Sequence, residues 1–137
     1  MRDLRLLRSI LFVSGLVVIG IGAATLFAPV AFHEVNGIRL GDDVGLLSET
    51  RAAGGALLAS GVLIALGAFV SRLAFTAAVV GTLLYLSYGL SRVLSIAVDG
   101  VPGSGLVLAA VVETVIGLAC AFALVRHLRH GAEAASP

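Results

Sequence analysis

Gly81, Tyr85, Tyr88, Arg92 and Ser95 recur at steps of four, three, four and three. On an α-helix those steps keep one stripe. The stripe runs from a small residue through two phenols to a guanidinium, and one further turn reaches Asp99. Glu113, in the next apolar run, lies about eight residues in from the break before it, roughly 12 Å at 1.5 Å per residue. Arg92 approaches that break from the other direction, about one turn from the end of its own run, so an Arg92–Glu113 pair is expected. Glu49 and Arg51 open an earlier run at the same end. Glu49, Arg51, Arg92, Asp99 and Glu113 are therefore expected to converge.

Such a constellation supports distinct chemistries. Ionisable groups in an apolar run are costly and are held against a partner. The charges can simply neutralise one another and fix helix register. They can instead line a pocket, with Tyr85, Tyr88, Arg92 and Glu113 as ligand-binding residues and Glu49, Arg51 and Asp99 as a structural charge cluster. Arg92 would then present a forked donor to an anionic head group, flanked by the phenols. Room for a ligand is expected from the small residues Gly81, Gly89, Ala109 and Gly117.

A third possibility is a small transporter in which Glu113 couples to protons, although an Arg counter-ion would hold that carboxyl too acidic for the task. A fourth is an enzyme acting on a lipid or quinone through Tyr85, Tyr88 and Arg92, but no nucleophile, base or metal accompanies them. His33, His127 and His130 are too dispersed for a metal site, and no cofactor is implied. There is no P-loop, GxSxG or strand-borne GxGxxG. The single cysteine, Cys120, lies in an apolar run and reads as a small hydrophobe.

The elements that must position these residues are set by composition. Of 137 residues, 59% are hydrophobic and 12% charged, and mean hydropathy is +1.11. A soluble domain of this size could not cover its core with so few polar groups. Apolar runs at 10–28, 52–70, 73–91 and 106–125 are each long enough to cross about 30 Å of hydrocarbon, and a backbone in lipid must satisfy its own hydrogen bonds as helix. The expected fold is all-α: an integral membrane four-helix bundle over 1–130, with a disordered tail at 131–137. The first run follows Arg2, Arg5 and Arg8 as a signal peptide would, but its length favours a retained anchor.

All nine basic residues are arginines. Arg2, Arg5, Arg8, Arg72, Arg126 and Arg129 fall on one side, and Arg39, Arg51 and Arg92 on the other, among most of the acidic residues. The positive-inside rule then makes both termini cytoplasmic. The short link at 71–72 makes the second and third spans an antiparallel hairpin. Residues 29–48 form the one sizeable loop, with a tight turn at Asn36-Gly37. Glycines and alanines supply close helix packing: Gly55, Ala59 and Leu63 share a face, as do Gly61, Ala65 and Ala68, Ala77 and Gly81 repeat the small-xxx-small spacing, and Ala109, Glu113, Gly117 and Ala121 form an i, i+4 row. The same spacing serves a homo-oligomer. Basic ends suit anionic membrane lipids rather than nucleic acid.

Glu49-Thr50-Arg51-Ala52-Ala53-Gly54-Gly55, then Gly89-Leu90-Ser91-Arg92-Val93-Leu94-Ser95 leading into Asp99-Gly100-Val101-Pro102, then Glu113, resembles the DUF4345 family of small bacterial four-helix membrane proteins. The chain is more loosely similar to the DoxX-like group. The resemblance covers most of the chain and implies fold and topology but no reaction, since the family is named for an unknown function. The DoxX-like likeness raises redox or quinone-linked chemistry, for which a lone Cys120 offers no redox pair. The expected function is a non-enzymatic multi-pass protein of a bacterial cytoplasmic membrane. It would be either a small lipid- or ligand-binding bundle or an accessory subunit of a membrane complex.

Overall fold

The computed structural model describes residues 2–133, with side chains described for 4–129. These residues form five α-helices and no strand: α1 (Arg2–Phe27), α2 (Pro29–Val35), α3 (Val44–Leu66), α4 (Ala74–Asp99) and α5 (Ser104–Glu133), with a 3-10 turn at Ser71–Leu73. Four segments, Leu4–Phe27, Val44–Leu66, Ser71–Asp99 and Ser104–Arg129, are long and apolar enough to span a membrane. Their outward faces match that solvent: Leu83, Leu90, Leu108 and Val115 are 60–68% exposed. Side chains of this kind are stable on a surface when lipid rather than water surrounds it.

The helix ends differ from the sequence reading for local reasons. Asp43 has extended backbone and its Oδ1 accepts from the Leu46 amide at 2.8 Å, an N-cap that starts α3 eight residues before the expected span at 52. Gly100 ends α4 at φ 99, a left-handed turn that only glycine enters cheaply. The loop at 29–48 is not all loop. Pro29 occupies the first turn of α2, where its missing N–H costs nothing, so a fifth helix joins the four expected. Asn36-Gly37 does form the turn that follows it. At the C-terminus, residues 131–133 continue α5 rather than fraying, because Ala132 and Glu133 are good helix formers. The remainder of the expected tail, 134–137, lies outside the described residues.

Packing divides the bundle into two pairs. α1 lies most extensively against α3, and α4 against α5, while the consecutive α3 and α4 share a smaller seam. The α1–α3 seam is glycine-lined. A Cβ placed on Gly61 would sit 2.7 Å from the Ile19 amide nitrogen, and one on Gly54 2.6 Å from that of Leu26. Backbones approach this closely only where side chains are absent. Gly55 instead faces open space and Ala59 is exposed, so the Gly55–Ala59–Leu63 face is not the seam.

The two ends of the bundle are packed differently. Arg8 Nη2 donates to Ser71 Oγ at 3.3 Å, which places the start of α1 beside the α3–α4 link. This end is sealed by Leu7, Leu11, Ile64, Ala68, Ala77 and Ala123, among others. The opposite end carries α2, the turn after it and the α4–α5 connection.

Candidate functional site

At the second end, between α1, α4 and α5 and beneath α2, lies a partly open cavity of about 250 Å³. Its walls include Tyr85, Tyr88, Arg92 and Glu113, the residues singled out as ligand-binding from the sequence. The stripe on α4 and the carboxylate on α5 come together because α4 and α5 pack closely there. A Cβ on Gly89 would lie 2.6 Å from Thr114 Oγ1.

Arg92 meets Glu113 side-on. Nε donates to Oε2 at 2.7 Å and Nη2 to Oε1 at 3.2 Å. The guanidinium has five N–H donors. The other three have no partner among the described residues. The Glu113 side chain is 11% exposed and that of Arg92 30%, so the carboxylate is sunk in the bundle while the guanidinium reaches the cavity mouth.

The two phenols have different surroundings. Tyr85 is buried and donates to the Ser14 carbonyl on α1 at 2.6 Å. Tyr88 is 36% exposed, and its hydroxyl has no hydrogen-bond partner among the described residues.

A family model described as a domain of unknown function, DUF4345, matches residues 6–124. The chain belongs to the DUF4345 family. No curated protein and no solved structure matches it. The family match takes in every residue of the cavity wall.

In this DUF4345 chain no ion pair joins Glu49, Arg51 and Asp99 to one another among the described residues. Arg51 turns to α1, where its Nη1 donates to the Leu26 carbonyl at 2.6 Å. The last turn of α1 has no basic residue of its own, and a cation from α3 satisfies an orphan carbonyl there and complements the helix dipole. Asp99 accepts from Ser95 Oγ at 3.1 Å within α4, and Glu49 is exposed. Charges opening and closing helices find nearby backbone or water sooner than one another.

The room for a ligand is also made differently. Gly81, Gly89 and Gly117 are filled by close contact with Cys120, Thr114 and Leu86 respectively. Of the four small residues expected to leave space, Ala109 alone lines the cavity.

Sequence reasoning missed the α2 side of the DUF4345 site. Phe32 and His33 of α2, and Asn36 and Ile38 of the turn, form part of the wall. His33 Nδ1 bonds the Pro29 carbonyl and Asn36 Nδ2 the Phe32 carbonyl, each at 2.8 Å. The available signal was Pro29 followed by a polar pair, His33 and Asn36, three residues apart on one helical face.

Proposed function

We propose that this protein is a non-enzymatic membrane bundle of the bacterial cytoplasmic membrane that holds a small amphipathic ligand in the α2-covered cavity. The head sits against Arg92 and Tyr88, and the apolar part lies along Val18, Ile21 and Leu84. By the arginine distribution the termini are cytoplasmic and the cavity faces the outer side. The observation that carries this reading is Arg92 itself. It is fixed by a two-point bond to Glu113 and still keeps unpartnered N–H donors in a cavity with apolar walls. A pocket that is mostly apolar with a few convergent polar groups is the usual form of a small-molecule site. The same bond tells against proton coupling, since a carboxylate held by two guanidinium N–H groups releases its counter-ion reluctantly.

Native mass spectrometry of protein extracted in a mild detergent tests the reading. The expected result is one bound amphiphile per chain, much reduced in Arg92→Lys, which keeps the charge and loses the fork. Wild-type protein that carries no bound mass, with Arg92→Lys indistinguishable from it, would overturn the proposal.

A further inference from the structure

We infer that the cavity selects a head group carrying free hydroxyls beside its anion, a glycerol phosphate rather than a bare phosphate; this deepens the ligand-binding reading and rests on it. The polar groups of the wall fall into two sets. On the α4 side stand donors, the three unpartnered N–H groups of Arg92 and the hydroxyl of Tyr88. On the α2 side the wall includes His33 and Asn36, whose N–H groups are already committed to backbone carbonyls. A carbonyl can only accept, so the 2.8 Å bond between His33 Nδ1 and the Pro29 oxygen puts the ring proton on Nδ1. In the neutral ring Nε2 is left with its lone pair. The bond from Asn36 Nδ2 to the Phe32 carbonyl orients that amide in the same way. Its Oδ1 lies beside α5, 3.4 Å from where a Cβ on Gly105 would be.

The oxygens of an ionised phosphate ester only accept, which suits Arg92 and Tyr88 but would set lone pairs against those of His33 and Asn36. An acceptor left dry and unpaired is costly. A glycerol hydroxyl donates a proton and resolves that mismatch while its phosphate stays on the fork. Val18, Ile21, Leu57 and Leu84 add apolar wall to the same cavity, which suits the glycerol carbons of such a head group. The cavity volume of about 250 Å³ admits a head group rather than a whole lipid.

Charge and hydroxyl recognition can be separated experimentally above neutral pH, where phosphatidic acid carries more negative charge than phosphatidylglycerol but no alcohol hydroxyl. Protein exchanged into lipid-free detergent is offered dioleoyl phosphatidylglycerol, phosphatidic acid or phosphatidylcholine and read by native mass spectrometry. The expected result is one phosphatidylglycerol per chain, held about tenfold more tightly than phosphatidic acid, the scale of one hydrogen bond. Replacing both acceptors (His33→Phe with Asn36→Leu) should bring phosphatidylglycerol down to the phosphatidic acid level and leave the latter unchanged. Arg92→Lys should weaken both.

The wild-type comparison stands by itself if the double variant fails to fold, which a melt followed by circular dichroism would show. Equal retention of the two anionic lipids, both dependent on Arg92, would overturn the hydroxyl selection and leave ligand binding standing. Retention of neither above phosphatidylcholine would overturn both. Adding soluble glycerol 3-phosphate distinguishes the source: displacement of the lipid assigns the site to the free phosphate ester, and lack of displacement to the lipid.

Discussion

Arg92 on α4 and Glu113 on α5 are 21 residues apart in the chain and bonded through both carboxylate oxygens. Their burial is unequal, and that sets what each contributes. The guanidinium can reach water or head groups if it loses its partner, because its long side chain reaches outward. The carboxylate, at 11% exposure, cannot.

Arg92→Ala should therefore destabilise the bundle more than Glu113→Ala, by about 3 kcal/mol against about 1–2 kcal/mol, with the double variant milder than their sum. Thermal melts of the four proteins in one detergent measure the cycle. Strict additivity would show that the pair is not energetically coupled.

The glycine seam predicts opposite outcomes at neighbouring positions. Gly54→Ala and Gly61→Ala each drive a methyl into the α1 backbone and should cost about 1–3 kcal/mol. Gly55→Ala meets open space and should be neutral or stabilising by up to about 1 kcal/mol through helix propensity. Equal effects at 54 and 55 would place the α1–α3 contact elsewhere.

What the sequence made legible follows from which interactions are periodic. Four spans emerge from hydropathy because a lipid-facing helix is apolar along its whole length. The Arg92–Glu113 pair emerges because charges in such runs are few and their depth can be counted. The partner of Arg51 was not legible because it is a backbone carbonyl, and every helix end has several. The α2 wall was missed because seven residues hold fewer than two helical turns, leaving Pro29 and the polar pair His33 and Asn36 as the local marks. Gly55 was grouped with seam residues because glycine spacing alone does not say which side of α3 meets α1.

Topology can be checked directly. Arg8 beside Ser71 puts the start of α1 and the α3–α4 link at one end, and the positive-inside rule predicts that this end is cytoplasmic. Reporter fusions after Arg129 should register as cytoplasmic, and those within residues 35–43 as exterior. The reverse pattern would turn the cavity inward. Both reporters on the same side would remove one of the spans.

The two tyrosines separate stability from binding. Tyr85 is 3% exposed and its hydroxyl ties α4 to the Ser14 carbonyl of α1 at 2.6 Å. Tyr85→Phe keeps the ring and deletes that buried bond, so it should lower stability by about 0.5–1.5 kcal/mol. Tyr88 has no hydroxyl partner to lose among the described residues, and Tyr88→Phe should leave the melting temperature within about a degree, since a change without a lost contact is small. Its effect should appear instead in retention of bound amphiphile, reduced several-fold if the phenol donates to the head group. A drop in stability with Tyr88→Phe and none with Tyr85→Phe would exchange the two roles. Unchanged retention would remove Tyr88 from the binding wall and leave Arg92 as the donor on that side.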